Sequence, residues 1–188
     1  MRKLPLFLIF TIIGLVLAGT VVSCGDDDDG WGEYRDWIVD NNTWLEEKNA
    51  EINLETGEKL YTKVIPSYNP DRYILMRWFN DRSTTAGNLV PKFTSTVDVK
   101  YIGYLYDGTA FDSSYLQTTY GDSIFRTDLS SVIEGWQIAL QMMHVGDSCE
   151  IIVPFAAGYS STGSGSILPF SNLQFNIMLK DIAKYEIR

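Results

Sequence analysis

The feature that most limits what this chain can become is a set of alternating segments in its second half. Leu173, Phe175, Ile177 and Leu179 place apolar side chains at every second position, and Cys149, Ile151 and Val153 do the same just before Pro154. Successive side chains of a strand point to opposite faces, so a period of two predicts strands with one buried face. Val97-Asp98-Val99-Lys100-Tyr101 alternates in the same way, and Tyr104 to Thr109 holds an Asp107-Gly108 pair suited to closing a hairpin. Glu134 to Met143 carries Trp136, Ala139, Leu140 and Met143 at helical offsets, and His144-Val145-Gly146-Asp147 stops it. One short helix among antiparallel-type strands is an α+β layout, with the helix covering a curled sheet.

The other end of the chain is of a different kind. Arg2 and Lys3 precede an almost wholly apolar run from Leu4 to Val22 that ends in Val21-Val22-Ser23-Cys24. A positive start, an apolar stretch and a small residue before a cleavage point read as a secretory signal over residues 1–23. An uncleaved transmembrane anchor would also suit the length of the run. Against it stand the cysteine that closes the run and the acidic Asp26 to Asp29 that follow. Val-Val-Ser-Cys resembles the bacterial lipobox, which implies lipidation at Cys24 and a cell-envelope lipoprotein, most simply of the outer membrane, held to the membrane by that anchor. Acidic residues placed directly after such a cysteine resemble a surface-export signal.

Residues 24–32 then read as an acidic tether. A calcium loop is the sharper reading of the Asp run, but the Gly and terminal Glu of such a loop are missing. Residues 33–88 form an N-terminal extension. Tyr34, Trp37, Ile38, Trp44, Leu45 and Ile52 fall mostly at helical spacing, which predicts an amphipathic helix or a broken pair. Leu60 to Ile65 and Tyr73 to Phe79 read as strands around a turn at Pro66 to Pro70. The apolar residues of this extension suit either a dimerisation arm or packing on the chain's own sheet.

Composition excludes several functions. The chain has 15 basic against 24 acidic residues, a formal net charge of −9, so it lacks the basic footprint that nucleic acid requires. Its single histidine, His144, has no acid or nucleophile at motif spacing, which argues against a hydrolytic triad or a histidine-rich metal site. No helix follows Ser164-Gly165-Ser166 to cradle a phosphate. Cys149 alternates with Ile151 and Val153 and reads as a buried structural thiol.

Residues 89–188 resemble the FKBP-type peptidyl-prolyl isomerase domain. Val97 to Ser114 reads VDVKYIGYLYDGTAFDSS, similar to the family's opening strand, its Tyr-x-Gly and its Asp-Gly-Thr-x-Phe-Asp-Ser-Ser. Val132 to Asp147 reads VIEGWQIALQMMHVGD, similar to its Val-Ile-x-Gly-Trp, short helix and Val-Gly turn. Ile151 to Tyr159 resembles its Ile-Pro-…-Tyr stretch, and Ile167-Leu168-Pro169 and Leu173 to Ile182 resemble its last loop and strand. The resemblance implies an FKBP-like curled antiparallel sheet around one short helix. It also implies a pocket in which Tyr101, Phe111, Asp112, Ile133, Trp136, Tyr159 and Phe175 act on the peptide while Phe125, Val132 and Ile167 help to bind it. Gly158-Tyr159-Ser160 departs from the family's Ala-Tyr-Gly, and Asp112 has no evident basic partner in the sequence.

The implied activity is rotation about X-Pro bonds of polypeptides, with no metal, cofactor or nucleophile; the implied partners are proline-containing chains. Each residue has a plainer reading as well. Aromatic residues on strands are most often core, and an acid before two serines is often a turn residue that satisfies backbone N–H groups. A binding or chaperone module that keeps the pocket and turns over slowly is the competing function.

Overall fold

The computed structural model of the chain describes residues 31–185. The leader, Cys24 and the Asp run lie outside these residues. Within them, α1 (Arg35–Ala50) precedes β1 (Thr62–Val64), β2 (Ile74–Trp78), β3 (Thr96–Leu105), β4 (Ala110–Ser113) and β5 (Phe125–Asp128). Then come α2 (Glu134–Leu140), β6 (Ser148–Val153) and β7 (Leu173–Lys184). The strands make one antiparallel sheet in the order β1-β2-β6-β7-β3-β4, with β5 also on β3. The long strand β3 is shared: Thr96 to Val99 pair with β5, and Ile102 to Tyr104 pair with β4. Chain between β4 and β5 therefore has to leave the sheet and return, and residues 114–124 form that excursion.

The expected alternation becomes the inner face of the sheet. Val97, Val99 and Tyr101 of β3, Cys149, Ile151 and Val153 of β6, and Leu173, Phe175, Ile177 and Leu179 of β7 are all buried against α2. Only seven residues long, α2 buries Gly135, Trp136, Ile138, Ala139 and Leu140. It ends at Leu140, short of the expected Met143, and Gln141 to Asp147 form the turn. Gly135 lets the helix lie directly on β6: a Cβ there would sit 2.5 Å from Val153 Cγ1. The hairpin expected at Asp107-Gly108 joins β3 to β4, with Gly108 at φ +83° and its N–H on the Leu105 carbonyl at 3.0 Å.

The N-terminal extension belongs to the same body. Ile74 and Met76 of β2 complete the inner core, while Leu75 points the other way and is covered with Ile152 and Tyr61 by Trp44 and Leu45 of α1. The sheet thus begins at Thr62, earlier than residues 89–188, and the expected strand over 60–65 is trimmed to three residues. One continuous helix replaces the alternative of a broken pair. Its one buried residue is polar: Asn41 is 1 % exposed. Asn41 Oδ1 accepts from the Asn172 backbone N–H at 2.7 Å, and Asn172 Nδ2 donates to the Asn41 carbonyl at 2.7 Å. Such reciprocal bonds satisfy groups that would be costly to bury alone. Trp44, Leu45, Leu60 and Tyr73 of the extension pack on the chain's own sheet, while Val39, Ile52 and Leu54 stay exposed.

Candidate functional site

On the inner face, where α2 leaves the end of the sheet uncovered, aromatic side chains enclose a cleft of about 240 Å³. Tyr101 of β3, Phe111 and Asp112 of β4, Phe125 and Thr127 of β5 and Phe175 of β7 line it, with Ser131, Val132, Ile133, Trp136 and Tyr159. The rings meet edge to face: Tyr101 and Trp136 at 4.9 Å between centroids, Trp136 and Phe175 at 5.4 Å, Phe111 and Phe175 at 5.6 Å. This geometry suits aromatic quadrupoles and fixes each ring by its neighbours. Gly103 makes it possible, because a Cβ there would lie 2.7 Å from Phe111 Cζ and 2.9 Å from Phe175 Cε1.

Polar groups interrupt the aromatic wall, and those around Asp112 have defined partners. The Tyr101 hydroxyl donates to Asp112 Oδ2 at 2.5 Å, and the Ser113 N–H donates to Asp112 Oδ1 at 2.8 Å. The acid's partners are thus a phenol and an amide, which explains why no basic partner was legible. Burial, then the hydrogen bond to Asp112, pushes the Tyr101 phenol well above its ordinary value. Burial and the nearby charge of Asp112 raise Tyr159 too. Both tyrosines are therefore protonated donors at neutral pH. Donors on the lining that have no acceptor among the described residues include the Ile133 backbone N–H, the Tyr159 hydroxyl and the buried Trp136 Nε1. Trp136, only 4 % exposed, forms part of the lining as the first turn of α2.

Nine of the ten predicted pocket residues come together here. Ile167 does not. It was expected on the wall, but it packs inward with the core at 7 % exposure. It sits in a tight turn in which Ser164 and Ile167 exchange backbone bonds, with Gly163 at φ +68°, where a Cβ would lie 2.3 Å from the Ile167 carbonyl oxygen. Thr127 and Ser131 line the cleft without having been singled out. Thr127 was recoverable, since it lies two residues after Phe125 and so on the same face of β5. His144 lies elsewhere, with Nδ1 2.9 Å from an Arg82 guanidinium nitrogen and 3.6 Å from Asp147 Oδ2. No three His, Cys, Asp or Glu residues gather into a metal-binding group among the described residues.

The family profile described as FKBP-type peptidyl-prolyl cis-trans isomerase matches residues 87–180, half of the chain. The chain belongs to the FKBP-type peptidyl-prolyl cis-trans isomerase family. A relative named macrophage infectivity potentiator, from Trypanosoma cruzi, is 37% identical to this FKBP-type chain over 98 residues, 52% of this chain and 48% of that one. The FKBP-type 22 kDa peptidyl-prolyl cis-trans isomerase of Escherichia coli K12 is 39% identical over 94 residues, covering 50% and 44%. The chain spans about half the length of these curated relatives or less. Among solved structures, a peptidyl-prolyl cis-trans isomerase from Pseudomonas syringae pv. tomato superposes with a TM-score of 0.62 at 26% identity, over 80% of this chain and 96% of that one. FkpA from Escherichia coli gives a TM-score of 0.62 at 25% identity, over 82% and 64%. The likeness to these structures extends past the FKBP-type match into the N-terminal half.

Proposed function

We propose that this chain accelerates cis-trans rotation of X-Pro bonds in polypeptides, and that the aromatic cleft is where it does so. The observation that carries this reading is the pairing of a cleft walled by aromatic rings with unpaired donors, among them the Ile133 N–H and the Tyr159 hydroxyl. Amide resonance sets the rotation barrier at roughly 18–20 kcal/mol and makes the uncatalysed step take tens of seconds or longer. The planar amide is strongly dipolar and well hydrated, whereas the twisted transition state has lost much of that resonance. Transfer into a dry aromatic cleft therefore penalises the planar form more than the twisted one, and this difference is what lowers the barrier. Trp136 would lie under the proline ring, with Phe111, Phe125, Val132 and Phe175 as walls. The free Ile133 N–H and Tyr159 hydroxyl would hold peptide carbonyls, and Asp112 would orient Tyr101. No bond is cut.

A protease-coupled assay on several X-Pro peptides tests the proposal. Turnover that falls on changing Phe111 or Trp136 supports it. Peptide binding without turnover on any of these peptides would replace it with a binding or chaperone module.

We further propose that Cys24 is lipidated, making the chain a cell-envelope lipoprotein, with the outer membrane as its site, that acts on exported proteins. The support is the apolar run that closes in Val-Val-Ser-Cys and the acidic residues behind it. A Cys24→Ala chain should accumulate as precursor and lose metabolic fatty-acid label; unchanged labelling would end this reading. Among the described residues no helix is long and apolar enough to cross a membrane.

A further inference from the structure

Tyr159 stands in a loop, Pro154 to Asn172, whose conformation is unfavourable for its own sequence. Ser160 at φ +55° and Phe170 at φ +61° both occupy the left-handed region without being glycine, a state that persists only where surrounding contacts impose it. The two strained residues are joined by the Phe170 N–H on the Ser160 carbonyl at 3.0 Å. The amides on either side of Tyr159 share one acceptor: the Gly158 and Ser160 N–H groups donate to the Phe155 carbonyl at 3.0 and 2.8 Å. Phe155 is therefore the point from which Tyr159 hangs.

What fixes Phe155 comes from far along the chain. Its N–H donates to Asn172 Oδ1 at 2.8 Å. Asn172, with no exposed surface, is in turn oriented by Asn41 of α1 through the reciprocal pair described above. The same asparagine side chain thus has its amide nitrogen on α1 and its oxygen on the loop. A second hold acts from the N-terminal side of the helix: the Trp31 ring meets Phe170 edge-on at 4.9 Å, and Phe170 meets Phe155 at 5.4 Å. Both holds start in residues outside the segment matched to the family, 87–180.

We infer that α1 is a working part of the site: Asn41, through Asn172 and Phe155, is a positioning residue that sets the Tyr159 hydroxyl for substrate. The inference rests on Tyr159 being a binding group of the proposed isomerase site. Without the clasp the loop relaxes toward ordinary backbone angles at Ser160 and Phe170, and the hydroxyl leaves the lining.

The test is a double-mutant cycle on the full chain, with kcat and KM measured on one X-Pro peptide for the parent, Asn41→Ala, Tyr159→Phe and the double variant. Asn41→Ala should lower kcat/KM about five- to tenfold, mostly through KM, and should cost less than about twofold when Tyr159 is already Phe. A role in stability alone gives a different pattern: less active protein, hence lower kcat with KM unchanged, and the same factor in both backgrounds. That pattern, or no loss at all, overturns the inference. If Asn41→Ala does not fold, Trp31→Ala loosens the same loop from its other hold and should raise KM in the same Tyr159-dependent way; an unchanged KM there overturns the inference as well. Absence of turnover in the parent chain is a failure of the isomerase reading instead. The cycle then runs on binding of the proline peptide, followed by tryptophan fluorescence, and the brace stands or falls on its own.

Discussion

The hydroxyl of Tyr101 donates to the carboxylate of Asp112 at 2.5 Å, from the middle strand of the cleft to the strand at its edge. Tyr101 also meets Trp136 edge-on and Phe125 at 5.5 Å, so the acid holds the ring around which the aromatic wall is assembled. Asp112 thus acts through orientation. Asp112→Ala should reduce kcat/KM partially, by about tenfold, the equivalent of one modest charge-assisted hydrogen bond. Tyr101→Phe should give a similar loss, and the double variant should lose less than the product of the two. The coupled peptide assay measures all three; full abolition by Asp112→Ala would mean that the acid does chemistry.

Turnover should be nearly flat between about pH 6 and 8, because neither tyrosine on the lining titrates there and the histidine is outside the cleft. A bell-shaped rate profile centred in that range, on stably folded protein, would falsify a mechanism of shape and dryness.

Stability should fail at high pH. Tyr101 and Tyr61 both have folded-state values raised above the ordinary 10.0, through burial and then through bonds to Asp112 and Glu150. A raised value favours the protonated fold, so this stabilisation is complete below pH 10 and drains away as pH rises past it. Thermal melts from pH 8 to 11 should show Tm dropping above 10, and Tyr61→Phe should soften the drop.

Two glycines should resist alanine for different reasons. Gly135→Ala drives a methyl into Val153 and should cost ~1–3 kcal/mol, much of it recovered by adding Val153→Ala, as read by urea unfolding. Gly103→Ala pushes on Phe111 and Phe175, so its larger effect should be on kcat/KM.

Asp147 should govern acid stability. It has no exposed surface and accepts from Thr85 Oγ1 at 2.5 Å, the His144 N–H at 2.8 Å, Asn80 Nδ2 at 3.1 Å and Arg82 Nε at 3.3 Å. Burial alone would raise its pKa, yet these partners outweigh burial and hold it below the ordinary 3.8. Its stabilisation is therefore present above that value and lost as pH falls through the lower, folded one. Asp147→Ala should cost ~1–3 kcal/mol at pH 7, because it strands the buried donors around it while Arg82 keeps contact with solvent. It should also flatten the acid limb of the stability profile.

Most of the inner face was legible because strands and α2 obey simple periods: a buried face repeats every second residue whatever its neighbours are. The pocket was legible for another reason, since Tyr101, Phe111, Asp112, Val132, Ile133, Trp136 and Phe175 sit in short motifs whose order fixes the fold. Ile167 was misplaced because it sits in a glycine-rich turn with no periodicity to read. Least legible was Asn41. A polar residue amid Asn and Thr on a helix looks solvated, and only the distant Asn172 gives it a reason to be buried. The same holds for β2, whose burial depends on pairing with a strand some seventy residues later.

Strand β7 lies between β3 and β6, yet it is the last strand in the sequence. A partly synthesised chain that has reached Val153 owns β3 and β6 but has nothing to place between them. The sheet cannot close from either side until Leu173 to Lys184 has emerged, and its longest-range pairings come last, the kind of topology that folds slowly. Closure of the sheet thus waits for β7. Under the export route proposed above, a translocation channel would receive a polypeptide still open enough to thread, with its order of strands acting as the timer.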